Sequence, residues 1–289
     1  MSTPPTTTQP PVLIADGTQL REEVLQRRAA GQTVGLVPTM GALHAGHLSL
    51  VEAARRECDA VVVSVFVNPT QFGPGEDLDR YPRDLERDRR LLAEVGADVV
   101  FAPAAEAMYP PGSGTTVDAG PVAAAWEGAD RPDHFRGVAT IVLKLFNLAP
   151  AGRAYFGRKD YQQTVVVQQV VADLNVPIEV RVCPTVREPD GLAMSSRNAM
   201  LTQAQRPAAL SLSRSLRLAG EMHAAGERDA GRVCAAMRRL MTDAGAHVQY
   251  AAALRPGGVE EVRTLDGGAV LVVAARVGQT RLIDNERIG

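Results

Sequence analysis

The run Asp59-Ala-Val-Val-Val-Ser-Val-Phe-Val67 leaves this chain few folding choices. It is rich in β-branched residues and has no polar alternation. A strand of that kind needs apolar cover on both faces, which is the condition of a buried strand in a parallel sheet. Shorter runs of similar character recur at Thr33-Val-Gly-Leu-Val-Pro38, Ala97-Asp-Val-Val-Phe101, Arg153-Ala-Tyr-Phe-Gly157 and Pro177-Ile-Glu-Val-Arg-Val-Cys183. Between them, residues 47–58, 79–95, 135–148 and 161–174 carry helical patterns, the last weakened by its valines. Strand-helix alternation predicts an α/β fold with a parallel sheet and helices on both faces. Ligands of such sheets bind beyond the carboxyl ends of the strands. The loops starting at Pro38, Asn68, Gly157 and Thr185 are therefore expected to open onto one crevice.

The pattern changes near residue 184. Two Ala/Arg/Leu-rich helices are predicted over 202–226 and 229–244, then strands over 248–254 and 269–275, with 281–285 extending the second hairpin. The expected organisation is a disordered tail over 1–11, an α/β domain over 12–184 and a smaller α+β domain over 185–289.

Bulk properties narrow the function. Net charge is −2, with both signs interspersed, so nothing suggests non-specific binding to nucleic acid or a membrane surface. No window approaches the roughly 18 apolar residues of a membrane span. The start, Met1-Ser-Thr-Pro-Pro-Thr-Thr-Thr-Gln-Pro10, lacks the basic and apolar regions of a signal peptide. The three cysteines, Cys58, Cys183 and Cys234, form no C-x-x-C pair, which fits a reduced cytoplasmic protein. Only two of the 31 basic residues are lysines, Lys144 and Lys159.

Five segments carry candidate chemistry. In Pro38-Thr-Met40-Gly41-Ala42-Leu43-His44-Ala45-Gly46-His47, a strand ends, a glycine-bearing turn follows and a helix begins near Gly46. Helix-start N–H groups and two histidines at a three-residue spacing suit phosphate oxygens, and Gly46 lets a nucleotide approach closely. In Gly191-Leu-Ala-Met194-Ser195-Ser196-Arg197-Asn198, two hydroxyls and a guanidinium follow a glycine. A helix cap reads the same way, but downstream of His-x-Gly-His it matches the mobile Lys-Met-Ser-Lys-Ser loop of nucleotidyl-transferring enzymes. In Phe156-Gly157-Arg158-Lys159-Asp160-Tyr-Gln-Gln163, Lys159 is placed for phosphates and Gln163 for a hydroxyl or carboxylate; an ordinary helix start is the alternative. In Phe66-Val-Asn68-Pro-Thr-Gln71-Phe72, neutral amides beside apolar groups suit a small polyol acid. Downstream, Asp84 and Asp88 either face a Mg²⁺ or belong to a solvated, salt-bridged helix face. In Arg131-Pro-Asp-His134-Phe-Arg136-Gly137, His134 and Arg136 either line the crevice or cap the helix. Before any family is considered, the set fits transfer of an adenylyl group to a carboxylate, transfer to a phosphate, or a non-catalytic nucleotide sensor.

Together these segments resemble the pantoate–β-alanine ligase family. The resemblance extends through Arg187-Glu-Pro-Asp-Gly191 and the C-terminal Ala274-Ala-Arg-x-Gly-x-Thr-Arg-Leu-Ile-Asp-Asn285. It implies a Rossmann-like domain with a smaller C-terminal lid domain, a cytoplasmic homodimer, and ATP-dependent condensation of pantoate with β-alanine through a pantoyl adenylate, with Mg²⁺. It implies that Met40, Gly41, Ala42, Leu43, His44, Ala45, Gly46 and His47 bind ATP, with Gly157, Arg158, Lys159, Asp160, Val186, Met194, Ser195, Ser196 and Arg197. His44, His47, Lys159 and Arg197 would carry the catalytic charge stabilisation. Gln71 would bind pantoate and then β-alanine, Gln163 would bind pantoate, and Asp88 lies where some members have a Mg²⁺-associated aspartate. One position departs from the family: its usual Phe-Gly-Glu-Lys-Asp reads Phe156-Gly-Arg158-Lys-Asp, a cation for a carboxylate.

Overall fold

The computed structural model describes residues 10–73, 76 and 78–289; the tail expected over residues 1–11 lies, up to residue 9, outside the described residues. The chain divides into two compact units. One holds the residues through Gly157 together with Val166–Cys183; the other holds Arg158–Val165 and Pro184–Gly289.

In chain order the first unit runs β1 (Val12–Ile14), α1 (Gly17–Ala29), β2 (Val34–Thr39), α2 (Ala45–Glu57), β3 (Ala60–Val65), α3 (Leu85–Glu94), β4 (Val99–Phe101), the short α4 (Ala105–Met108) and α5 (Glu127–Asp130), α6 (His134–Leu148), β5 (Arg153–Gly157), most of α7 (Tyr161–Asp173) and β6 (Glu179–Cys183). The strands form one sheet in the order β1-β4-β3-β2-β5-β6, and every pairing is parallel. The expected doubly covered run is β3, buried along its length except at Val65. Leu20, Val24, Leu36, Val62 and Phe101 lie in one apolar layer, and Val37, Val51, Val61, Val63 and Tyr155 in another.

Elements β1 and α1 precede anything the sequence periodicity reveals. The apolar stripe of α1 is only Leu20 and Val24, which is too sparse to stand out, although Asp16 caps the helix by accepting from Gln19 N–H. The single helix expected over 79–95 is broken. A 3-10 turn (Leu78–Arg80) is followed by non-helical backbone around Pro82, and α3 starts only after Asp84, whose side chain caps it through Arg87 N–H. Proline disfavours helical backbone at the residue before it, which accounts for the break.

Strand β2 is the hinge of the topology. The chain proceeds from β2 to β3 on one side and places β5 on the other. β2 pairs with β3 from Val34 through Thr39, but with β5 only at Gly35 and Leu36. Beyond Leu36 the two neighbours part, so Pro38, which has no N–H to give, sits where the ladder has already ended on one side. Such a switch point is where open α/β sheets take ligands.

The second unit contains α8 (Arg206–Ala224) and α9 (Ala230–Asp243) with an antiparallel sheet β7 (His247–Leu254), β8 (Ala269–Val277) and β9 (Thr280–Ile288). The tail expected to extend the hairpin is thus a full third strand. A two-residue loop joins β8 to β9, and Gly278 supplies its left-handed position (φ 59). Leu212, Leu216, Val233, Met237 and Leu271 are among its fully buried core.

Leu36 is wholly buried at the centre of β2. Leu36→Ala is expected to lower the unfolding free energy by about 2–5 kcal/mol, measured by urea denaturation.

Candidate active site

The turn after β2 is built on two consecutive left-handed residues, Gly41 (φ 81) and Ala42 (φ 51). A side chain at position 41 would sit 3.0 Å from both Asp88 Oδ2 and Val65. The turn aims two N–H groups at one carboxylate: Ala42 N–H donates to Asp88 Oδ2 (2.9 Å) and Leu43 N–H to Oδ1 (2.8 Å). Asp88 is only 1% exposed. Of the two readings left open for Asp88, the solvated face is therefore not what α3 presents there. Burial pushes its carboxyl above the usual range, against the pull of the Leu43 and Ala42 amides.

His44 follows as the N-cap of α2. Its Nδ1 accepts from Gly46 N–H (3.1 Å), so the proton of that imidazole resides on Nε2. The His44 and His47 rings stack at 4.1 Å between centroids. Of the helix-start N–H groups expected to meet an anion, that of Gly46 is thus taken by His44, and Asp88 takes two more donors from the turn before the helix. The donor that His44 contributes at the switch-point end of β2 is accordingly its Nε2–H.

Beyond β3, Asn68 precedes and Gln71 ends a 3-10 turn (Pro69–Gln71), and both are buried. Asn68 Nδ2 donates to Gln71 Oε1 (2.9 Å) and to the Gly137 carbonyl (3.2 Å), while Asn68 Oδ1 accepts from Tyr109 (2.9 Å) and Thr70 (3.1 Å) hydroxyls. Gly137 lets α6 lie directly on this turn, since a Cβ there would come within 2.3 Å of Thr70 O. The Gln71 carbonyl accepts from His134 Nδ1 (2.8 Å), at the start of α6, and from Arg131 Nη2 (3.2 Å), at the end of α5.

A carbonyl only accepts and a guanidinium only donates. His134 therefore carries its proton on Nδ1 and accepts from Arg131 Nη1 at Nε2 (3.1 Å). Burial, reinforced by the Arg131 charge, pushes its pKa down to about 4; the Gln71 carbonyl, Glu127 and Glu76 pull the other way without prevailing. Arg131 forks onto Glu76 at 2.8 and 2.7 Å. Burial works against the Glu76 charge, but the Arg131 bonds outweigh it and hold the carboxyl below its ordinary range. The alternatives left open for His134 resolve to an anchor for Gln71. Arg136 instead pairs with Asp133 on the surface.

The second unit holds its own candidates. Lys159 and Asp160 lie in a 3-10 turn (Arg158–Asp160) and pair at 3.3 Å. Asn285 Nδ2 donates to the carbonyls of Arg158 (2.9 Å) and Lys159 (2.8 Å), which fixes the turn through its backbone. The departure at position 158 therefore leaves this anchor intact. Gln163, on the first turn of α7, is half-buried. Ser195 caps the following 3-10 turn (Ser196–Met200) by accepting from Arg197 N–H at 3.2 Å. The loop before it is closed by the Met194 N–H to Val186 carbonyl bond (2.9 Å) and by Asn198 Nδ2, bonded to Glu188 and Ala193. Arg187 donates to the Gly191 carbonyl and forks onto Asp284, which is 3% exposed. Burial pushes the Asp284 carboxyl up, against that fork.

Sequence reasoning assigned no role to Asp284 or Asn285. These adjacent residues of β9 secure both the Lys159 turn and the Val186–Arg197 loop. The one local signal is that the Asp-Asn pair directly follows Leu282-Ile283 in β9.

Two outcomes test this geometry. Asp88→Asn turns one acceptor into a donor facing a backbone N–H, and is expected to cost about 1–3 kcal/mol of stability. Its Mg²⁺ titration midpoint should stay at the wild-type value, whereas a metal ligand would move it. For His134, the unfolded chain takes up a proton near pH 6.5 that the folded chain refuses until about pH 4. Stability is therefore complete above pH 6.5 and falls on acidification toward pH 4, by on the order of 3 kcal/mol. Urea melts of His134→Asn should lack that part of the acid dependence.

The family model described as Pantoate-beta-alanine ligase matches residues 13–287. A pantothenate synthetase from Chloroflexus aurantiacus is 56% identical over 265 residues, covering 91% of this chain and 94% of that protein. The crystal structure of pantothenate synthetase from Thermus thermophilus superposes with a TM-score of 0.90 at 48% identity, over 95% of this chain and 98% of that one. A pantoate-beta-alanine ligase from Francisella tularensis, solved as a complex with beta-gamma ATP and beta-alanine, gives a TM-score of 0.78 at 34% identity, covering 96% and 97%. The parallel sheet with its switch point, the His44–His47 turn and these matches agree: the chain belongs to the pantoate-beta-alanine ligase family.

Proposed function

We propose that this ATP-using ligase makes pantothenate in two steps through a pantoyl adenylate. A pantoate carboxylate oxygen attacks the α-phosphorus of ATP, the bond to the oxygen bridging to the β-phosphate breaks, and pyrophosphate leaves. The β-alanine amine then attacks the acyl carbon, AMP departs, and the amine loses a proton. No protein nucleophile is required. Positioning and charge neutralisation carry the chemistry, as in phosphoryl transfer generally.

The observation that carries this reading is the histidine turn at the topological switch point, with an Nε2–H donor on a backbone already braced by Asp88. On this proposal ATP is bound by residues 40–47, by Gly157, Arg158, Lys159 and Asp160, and by Val186, Met194, Ser195, Ser196 and Arg197. Residues His44, His47, Lys159 and Arg197 offset the charge that develops on the phosphates. Pyrophosphate is a good leaving group, so His47 serves as a phosphate donor rather than an obligatory acid. Gln71 holds pantoate and later β-alanine, and Gln163 holds pantoate. Domain limits near residues 12–184 and 185–289, with the second acting as a lid over the adenylate, belong to the same reading.

Magnesium enters as part of the MgATP substrate. Among the described residues no group of three or more His, Cys, Asp or Glu side chains is placed to hold a metal ion. Both oxygens of Asp88 accept backbone N–H bonds, so that carboxylate suits the turn rather than a cation. A cytoplasmic homodimer is part of the proposal, supported by the family resemblance and by three cysteines that are thiols. No helix among the described residues is long and apolar enough to cross a membrane.

Pantoate-dependent exchange of pyrophosphate into ATP, without β-alanine, tests the first step directly; its absence would defeat the adenylate route. His47→Ala and Lys159→Ala are each expected to lower kcat about 10²–10³-fold, the scale of losing one transition-state donor. Near-normal turnover in either would remove that residue from the assignment.

A further inference from the structure

Gln71 is a side-chain amide, able in principle to donate or to accept. Its surroundings fix which way the amide faces. The polarity originates at the Gly137 carbonyl, which can only accept. Asn68 Nδ2 lies 3.2 Å from it, so the nitrogen of that amide must face α6 and its oxygen must face away. The hydroxyls of Tyr109 and Thr70 then donate to Asn68 Oδ1, at 2.9 and 3.1 Å. All four hydrogen-bonding positions of Asn68 are thereby used, on a residue that is 1% exposed. Because Asn68 Nδ2 also approaches Gln71 at 2.9 Å, the atom it meets has to be the Gln71 oxygen. A flipped Gln71 would set two NH₂ groups against each other. The main chain of Gln71 cannot rotate to escape, since His134 and Arg131 both donate to its carbonyl.

We propose that Asn68 and His134 are positioning residues that turn Gln71 Oε1 toward Asn68 and leave Nε2, a donor, as the end of the amide offered to a ligand, so that this site selects its acid through an acceptor oxygen. The group read at Gln71 is a carboxylate or a hydroxyl oxygen used as acceptor. A ligand that brings only donors there, such as an ammonium group, finds no partner at Nε2 and has to share Oε1 with Asn68. If one residue serves both pantoate and β-alanine, it meets β-alanine through the carboxylate and leaves the amine end for reaction. Gly137 is specific to the device: its missing Cβ permits the contact between α6 and the turn, and its carbonyl sets the polarity of both amides. The inference rests on the assignment of Gln71 to the acid site.

The test compares Gln71→Ala with Gln71→Glu in pantoate-dependent ATP–pyrophosphate exchange, recording KM for pantoate and for ATP alongside Tm. Glu at 71 keeps the bond from Asn68 but turns a carboxylate oxygen toward the acid. Its pantoate KM is expected to exceed that of the alanine variant by at least about tenfold, with the ATP KM within about twofold of wild type. Equal or better pantoate binding by Gln71→Glu overturns the polarity. An unchanged pantoate KM in Gln71→Ala overturns the acid-site assignment itself, which separates the two failures. For the positioning residues, His134→Asn keeps a donor near the Nδ1 position and should restore the pantoate KM that His134→Leu raises. If both variants raise it equally at matched Tm, His134 only supports the fold.

Discussion

The divergence of β2 from β5 after Leu36 organises everything functional in the first unit. A parallel sheet satisfies its backbone by pairing on both sides, and a central strand that loses one partner early must end in a turn supported by other means. Here that support is a carboxylate delivered from α3. Pro38, unusual inside a sheet, is compatible with the site because the ladder that would have needed its N–H is already gone. The placement of the His44–His47 turn is therefore a consequence of strand order and not an addition to it.

The same arrangement appears elsewhere. The Gln71 turn has no regular secondary structure to stabilise it beyond three residues of 3-10 helix, so α6 holds it through His134, the neighbouring Arg131 and the bare backbone of Gly137. In the second unit, two irregular segments rely on neighbouring residues of a single strand, Asp284 and Asn285. In each case a loop that carries candidate chemistry is anchored by a buried polar group on or beside a regular element. The residues that do the anchoring are, for the most part, not those assigned to meet substrate.

Much of this was legible in the sequence. The valine-rich run at Ala60–Val65 is the buried strand expected of it, and the family was legible in the histidine, Lys159 and Ser195–Arg197 segments. The missed features have physical reasons. Helix α1 buries two residues, which is below what periodicity can register. Pro82 and the capping carboxylate of Asp84 interrupt a helix that charge patterning made look continuous. Asp88 looked like a surface residue because acidic and basic residues surround it, yet its place on α3 turns it inward beneath the Gly41–Ala42 turn. Asp284, Asn285 and His134 act on distant segments, and no local pattern records a long-range bond to a carbonyl or a guanidinium.

The Asp88 carboxylate under the turn after β2 also bears on the energetics of binding. Two adjacent left-handed residues would be loose and strained if left to solvent, and any ligand arriving at such a loop would have to give up part of its affinity to ordering it. By carrying its own anion, the turn is ordered before any ligand arrives. The entropy is lost once, during folding, and the His44 Nε2–H at the end of the turn has its direction already set.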